Sequence, residues 1–166
     1  VSEKDLSRAA EDLSTRYQEL KSHQTDIHRL VYLCVRMPAT YAVLCRVFQE
    51  FEVPQTIIDC GAGPGTSLWA LPNHSITFIE HDPAFVKLGK QLAPHTEAKW
   101  KTQTFFQFDE RAEMILFSFS LNEISPSKLS DTLSHAYEQT DNYIVVIEPG
   151  TPEGFERIRK VRSQLL

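Results

Sequence analysis

A doubly wound α/β domain with a mostly parallel sheet, entered through helices, is the fold class this sequence predicts, on three observations. Short β-branched and aromatic runs alternate with helical stretches after Pro54, a glycine-rich turn follows the first of those runs, and the residues before it repeat with helical spacing. Strands that alternate with helices imply βαβ units and parallel pairing. A chain of 166 residues that is 42% hydrophobic can bury a core for one domain with an accessory segment.

The elements follow in order. From Lys4 to Leu20 the apolar positions Leu6, Ala9, Ala10, Leu13, Tyr17 and Leu20 form an amphipathic helical stripe. A second helix is expected over His23 to Val35, and a third opens at Pro38 and ends near Phe51. Residues 1–53 are thus a helical segment, and 54–166 the α/β domain. Within the latter, the predicted strands are "TIID", "SITFIE", "AKWKTQ", "MILFSFS" and "NYIVVIE". Helices are expected from Gly65 to Ala70, Pro83 to Leu92, Pro126 to Gln139 and Pro152 to Leu165, with Asp82, Ser125 and Thr151 as caps ahead of the last three. The arrangement is Rossmann-like. Such sheets commonly carry further strands, so the chain is expected to stop short of a complete one.

The formal charge of -5 provides no global field for nucleic acid, so contact with phosphate would need a local basic patch. Cys34, Cys45 and Cys60 lack the paired spacing of a metal site and read as reduced thiols in a cytosolic setting. Apolar runs such as "YIVVI" are shorter than a membrane span, and the charged start is unlike a signal peptide, so the reading is soluble, intracellular and without a membrane partner. The sequence begins without Met, as a piece of a longer chain would. The six histidines, His23, His28, His74, His81, His95 and His135, show no ligand spacing and are expected at the surface.

The stretch "TIIDCGAGPGTSLWAL" holds the chemistry. Asp59 ends the first strand, and Gly61, Ala62, Gly63 and Gly65 turn the chain into a helix, the place where an open α/β sheet binds a ligand. The dinucleotide fingerprint needs its third glycine where Thr66 stands, and the Gly-Lys-Ser/Thr ending of a phosphate loop is absent. Glu80, ending the second strand about twenty residues past the first glycine, suits the two hydroxyls of a ribose. The plainer reading makes Asp59 a cap and Glu80 a solvated strand end. Asp82 is fully explained as the cap before Pro83.

These residues resemble class I S-adenosylmethionine-dependent methyltransferases, with "IIDCGAGPG" as first motif and "FIEHD" as acidic second-strand motif. The resemblance implies that the glycine turn passes under the methionine part of the cofactor, that Asp59 helps organise its amino-acid end and that Glu80 holds its ribose. Three further stretches, "YLCVRMPATYAVLCRVFQE", "FSFSLNEIS" and "VVIEPGTPEGFERIRKVRSQLL", are similar to the methyltransferase-like family of the small ribosomal subunit, the mitochondrial Rsm-type proteins and their bacterial relatives. That implies rRNA methylation or a role in small-subunit assembly, and a mitochondrial location in a eukaryote. Mitochondrial members of that family carry an iron–sulfur cysteine cluster beyond the matched region. None of the three cysteines here corresponds to it, so no metal is carried over.

Methyl transfer from a sulfonium depends on in-line placement of the acceptor, which the loops after the fourth and fifth strands would face. Asn122 and Glu123 follow the fourth strand and could orient the acceptor or remove its proton; capping near Pro126 is the open alternative. Glu148 stands after the fifth strand and is favoured as a third catalytic candidate, beside Gly150. The loop is not of the Asn-Pro-Pro-Tyr type, and no cysteine suits pyrimidine attack. Arg157, Arg159, Lys160 and Arg162 could touch rRNA phosphate, although a solvated face of a helix whose stripe is Phe155, Ile158, Val161 and Leu165 is the preferred reading. Arg36 could reach substrate or brace the lead-in helices. Trp69 and Trp100 are expected in packing, and Phe106 and Phe108 near the adenine. A non-catalytic assembly factor with the same fold is the second hypothesis, and a small-molecule methyltransferase the third.

Overall fold

The computed structural model describes Asp5, Arg8, Asp12 and residues 26–166. The helix expected from Lys4 to Leu20 lies outside the described residues, apart from three helical positions, Asp5, Arg8 and Asp12. The start of the second expected helix, with His23, also lies outside them.

The first described element is one helix, α1, running unbroken over Asp26–Val47. Two helices with a start at Pro38 were expected here, and the correction has a local cause. Proline lacks an N–H and its ring clashes with the carbonyl four residues back. A π-helical turn over Tyr32–Arg36 widens the helix just before it, the Met37 N–H bonding to the Tyr32 carbonyl, and the proline is absorbed at the start of the next α-helical stretch, Met37–Val47. Read as one element, α1 is long and apolar enough to cross a membrane, which shorter runs did not suggest. Within this fold 11% of that apolar window is buried: Leu44 is 1% exposed, with Val43 and Val47 packed beside it on the sheet core, while Leu30, Val35 and Tyr41 stand exposed.

Five strands follow: β1 Thr56–Cys60, β2 Ser75–Glu80, β3 Lys99–Thr102, β4 Ala112–Ser118 and β5 Thr140–Ile147. All neighbours pair in parallel, in the order β3-β2-β1-β4-β5. Helices α2 Ser67–Ala70, α3 Pro83–Leu92, α4 Pro126–Gln139 and α5 Pro152–Leu165 make the crossovers and the end of the chain. The helix expected from Gly65 starts at Ser67 because Gly65 has φ +77°, outside the right-handed helical region.

Strand alternation divides the core into two layers. Ile58, Cys60, Ile79, Ile115 and Phe117 face α4 and α5 through Leu129, Leu133, Ala136 and Val161. Ile57, Ile76, Phe78, Met114 and Leu116 face the other way, toward Leu44 of α1, Leu68 of α2 and Trp100. Both faces of the central strands are therefore covered, the usual condition of a parallel sheet.

Of the three expected caps, Asp82 accepts from the Ala84 N–H and Thr151 from the Gly154 N–H. Ser125 differs: its hydroxyl pairs with that of Ser127 at 3.0 Å and makes no cap bond. Phe155 also departs from its expected stripe and stands 63% exposed, while Val161 is buried and Leu165 partly so. Nor are all the histidines superficial. His28 is 4% exposed and sits 2.9 Å from an Asp12 carboxylate, and His135 bonds the Phe108 backbone while its ring meets the Phe108 ring edge-on.

Candidate functional site

The strand order reverses between β1 and β4, so the chain leaving each strand diverges and opens a crevice at the carboxyl ends. On one side of that crevice is the glycine turn. Its Gly61 and Ala62 N–H groups both donate to the Ile79 carbonyl, at 2.9 and 3.1 Å, tying the turn to β2. At Gly61, φ is +74° and a Cβ would lie 2.5 Å from that of Ser120, so conformation and space both require glycine. Gly63, at φ +54°, directs its N–H to Glu80 Oε2 at 2.8 Å.

Glu80 is 4% exposed, which excludes the solvated strand end. Its second oxygen accepts the Asp82 N–H at 2.7 Å and lies 3.1 Å from His81 Nδ1. Asp59 is equally buried and accepts from Ser67 Oγ at 2.5 Å. Burial pushes its carboxyl up to about 7 against the pull of the Ser67 hydrogen bond, and the Glu80 charge adds to the rise.

Across the crevice, Phe119 turns the chain out of β4 at φ +58°, a rare conformation for a bulky residue. The turn Leu121–Glu123 follows. Glu123 is exposed by its surface area, yet the protein atoms crowded around its carboxyl and then the Glu80 carboxylate push its pKa up to about 7, partly opposed by His81. His81 is in turn raised, chiefly by its hydrogen bond to Glu80 and against partial burial. Asn122 Oδ1 is buried without a hydrogen-bond partner, as are Ser118 Oγ and Ser120 Oγ. Glu148 is held from the far side: Oε2 takes Arg157 at 2.8 Å, while Oε1 is buried and unpartnered. Burial raises the Glu148 pKa, and Arg157 opposes the rise.

The structure thus gathers Asp59, Gly61, Ala62, Gly63, Gly65 and Glu80 into one turn and brings Glu123 within electrostatic reach of it. Glu148 is tied instead to α5. That pairing, with Arg159 bound to Glu156, also removes two charges from the basic face foreseen on α5. Phe108 is core at 3% exposed, and Phe105 is the aromatic that reaches the turn, its edge 3.1 Å from the Cβ position of Gly61. Phe106 lies partly buried beneath Lys128, 4.5 Å from its ring centroid. Trp100 packs on Phe78 at 4.5 Å as expected, and Trp69 lines a hollow of about 370 Å³ with Leu33, Met37, Tyr41 and Thr66. Sequence spacing missed Tyr32, Arg29 and Ser67. The first two come from a helix far away in the chain; the third could have been found as the hydroxyl opening the helix after the turn. Among the described residues, no group of three His, Cys, Asp or Glu side chains could hold a metal ion.

A parallel sheet of this order with a glycine turn after β1 and an acid ending β2 defines the fold of the class I methyltransferases. Solved structures agree: the chain superposes on magnesium protoporphyrin IX methyltransferase from Synechocystis with a TM-score of 0.64 at 14% identity, covering 96% of this chain and 84% of that one. For DesVI from Streptomyces venezuelae the TM-score is 0.62 at 15% identity, with coverage of 79% and 61%.

The family model "Mitochondrial small ribosomal subunit Rsm22" matches residues 26–166, and the chain belongs to that family. It is 26% identical to human "Ribosome assembly protein METTL17, mitochondrial" over a 200-residue alignment that covers 98% of this chain. It is 27% identical to the fission yeast "Rsm22-cox11 tandem protein 2, mitochondrial", covering 97% of this chain. The chain spans 42% of the human relative's length and 24% of the yeast one's.

Proposed function

We propose that this chain binds S-adenosylmethionine at the β1–β2 rim and belongs to a protein that methylates small-subunit rRNA or acts on a small-subunit assembly intermediate. The observation that carries the first half is Glu80, buried beside the glycine turn with each oxygen holding one backbone N–H. A carboxylate has about four lone-pair sites; the two backbone N–H groups and His81 Nδ1 take three, so one is open to a ribose hydroxyl and a second opens if His81 turns away. Asp59 on that rim and Glu123 across the crevice add two carboxyls, a charge pattern suited to a ligand bearing a sulfonium and an ammonium group. When bound, the cofactor supplies an electrophilic methyl carbon. Glu123, with its pKa near 7, fits removal of the acceptor's proton at neutral pH, and the unpartnered Asn122 oxygen fits a donor on the acceptor. Buried and paired with Arg157, Glu148 suits placement of the loop better than proton transfer.

The rRNA or subunit partner rests on the family, whose model bears the small subunit's name, and the named relatives are mitochondrial. A non-catalytic assembly factor is the second reading, supported by the human relative being named for assembly. Calorimetric titration with S-adenosylmethionine tests the rim: binding is expected, with Glu80→Ala lowering affinity about a hundredfold through loss of the ribose acceptor and two stranded N–H groups. Unchanged affinity in that variant rejects the assigned role. Mapping methylated small-subunit rRNA positions in cells with and without the gene separates the enzyme from the assembly factor.

A further inference from the structure

Glu80 carries three donors before any ligand arrives, and they are not equally fixed. The Gly63 N–H sits on Oε2 at 2.8 Å, while the Asp82 N–H at 2.7 Å and His81 Nδ1 at 3.1 Å share Oε1. A carboxylate oxygen has two lone pairs, so Oε1 is full and Oε2 has one place left. A ribose presents two hydroxyls on neighbouring carbons, and each needs an acceptor in a buried site.

Two of the three donors are held by the fold. Gly63 lies in the left-handed turn at φ +54°, with the Tyr32 ring of α1 packed over it, Cζ 3.7 Å from the position a Cβ would take. Asp82 caps α3 through the Ala84 N–H at 2.8 Å, and Arg29 of α1 bonds its Oδ2 through Nε at 3.2 Å and Nη2 at 2.8 Å. Tyr32 adds an edge-on contact with Phe85 of α3 at 5.2 Å. Releasing either N–H would undo the turn or the cap. His81 is different: its side chain is 44% exposed, and its bond to Glu80 breaks by rotation about its own side-chain torsions.

The charges around His81 hold it on Glu80 while it is protonated. Glu80 precedes it, Asp82 follows it, and Glu123 acts on it from the turn after β4, while Arg29 is bound to Asp82. The Glu80 hydrogen bond and then these carboxylates raise the imidazole pKa, against partial burial.

We propose that His81 is a positioning residue that occupies the ribose place on Glu80 in the free protein and turns off it when the second hydroxyl of the ligand arrives. This rests on the reading of the rim as an S-adenosylmethionine site. Freed from Glu80, the imidazole loses the contact that favoured its charged form, so binding near neutral pH releases a proton from the ring to solvent. Affinity then rises with pH until His81 is neutral in the free protein as well.

The test is calorimetry with S-adenosylhomocysteine, whose neutral sulfur removes the pull of a sulfonium on the acids, in two buffers of different ionisation heat. At about pH 7, wild type should release more protons per ligand than His81→Ala, and its affinity should rise several-fold between about pH 6 and 8. His81→Ala opens a lone pair on Oε1 and should bind about fivefold more tightly than wild type at about pH 6, with the gap closing toward pH 8. His81→Asn puts an amide that does not titrate in place of the ring and should show the same lower proton count. Equal proton counts in wild type and both variants, or weaker binding by His81→Ala at every pH, overturn the displacement and leave the rim reading standing. Wild-type protein that binds neither S-adenosylhomocysteine nor S-adenosylmethionine overturns the rim reading and this proposal with it.

Discussion

The two rims of the crevice are built on opposite principles. At the β1–β2 rim the acids are caught in short hydrogen bonds, with Glu80 holding the Gly63 and Asp82 N–H groups and Asp59 the Ser67 hydroxyl, and the Thr66 hydroxyl is the buried group left unpartnered there among the described residues. At the β4–β5 rim, Ser118, Ser120, Asn122 and Glu148 each keep a buried oxygen with no partner, next to a strained Phe119. A satisfied network holds a fixed shape before any ligand arrives. Unpaired buried groups and a strained backbone carry a standing cost, which a site accepts where another molecule completes it. Under the proposed function, the first rim is the preformed cofactor seat and the second the acceptor's place.

The largest effect expected from breaking that contrast is at Gly61, where the two rims touch. Gly61→Ala puts a Cβ at φ +74° and 2.5 Å from the Ser120 Cβ. The left-handed conformation costs about 1–2 kcal/mol and the overlap about 1–3 kcal/mol more. Denaturant unfolding should show a loss of about 2–5 kcal/mol, with S-adenosylmethionine binding undetectable. A variant that binds normally would mean the rims are not in contact in solution.

How much of this was legible in the sequence divides along the same line. The first rim is local: Asp59, its glycines and Glu80 lie within two adjacent strand ends, so spacing alone could single them out as candidates, while Ser67 beside them escaped it. The order and type of the elements after Pro54 were legible because β-branched runs and Pro-led helices punctuate them, but the fourth strand starts at Ala112 and ends at Ser118, two residues ahead of the run "MILFSFS" at each end, and the fifth starts at Thr140, ahead of "NYIVVIE". What stayed hidden depends on tertiary approach or unusual backbone. Tyr32 and Arg29 reach the site from α1, and nothing in "RMPATY" announces that a π turn will carry the helix through Pro38. A positive φ at a phenylalanine has no sequence signal, whereas one at a glycine does. Glu148 had a mouth position but no visible partner; Arg157 supplied it from the next helix.

The next effect is in pH. Asp59 has its pKa raised to about 7 from 3.8, so the folded protein holds a proton that the unfolded chain gives up earlier. Its contribution to stability is complete below about pH 4 and fades as pH rises through about 7. A cationic ligand favours the ionised acid, and the same holds for Glu123. Affinity for S-adenosylmethionine should therefore climb several-fold between pH 6 and 8 while the free protein's midpoint in urea declines. Asp59→Asn should flatten both trends in part. A binding curve flat with pH in the wild type would detach these acids from the ligand's charge.

The smallest effect is the sharpest test of the second rim. Ser118→Ala deletes a buried hydroxyl that has no partner and leaves its small Cβ in place. If Ser118 served the fold, its loss would cost stability. If it is kept for a substrate, removing it should relieve desolvation and raise the unfolding free energy by about 0.5–1 kcal/mol. Cofactor affinity should stay unchanged, because the substitution is on the β4 side of the crevice, and methyl transfer to the acceptor should slow. Stability that falls in Ser118→Ala would move this hydroxyl from the acceptor's account to that of the sheet, and with it the argument that the second rim is arranged for a molecule other than the chain itself.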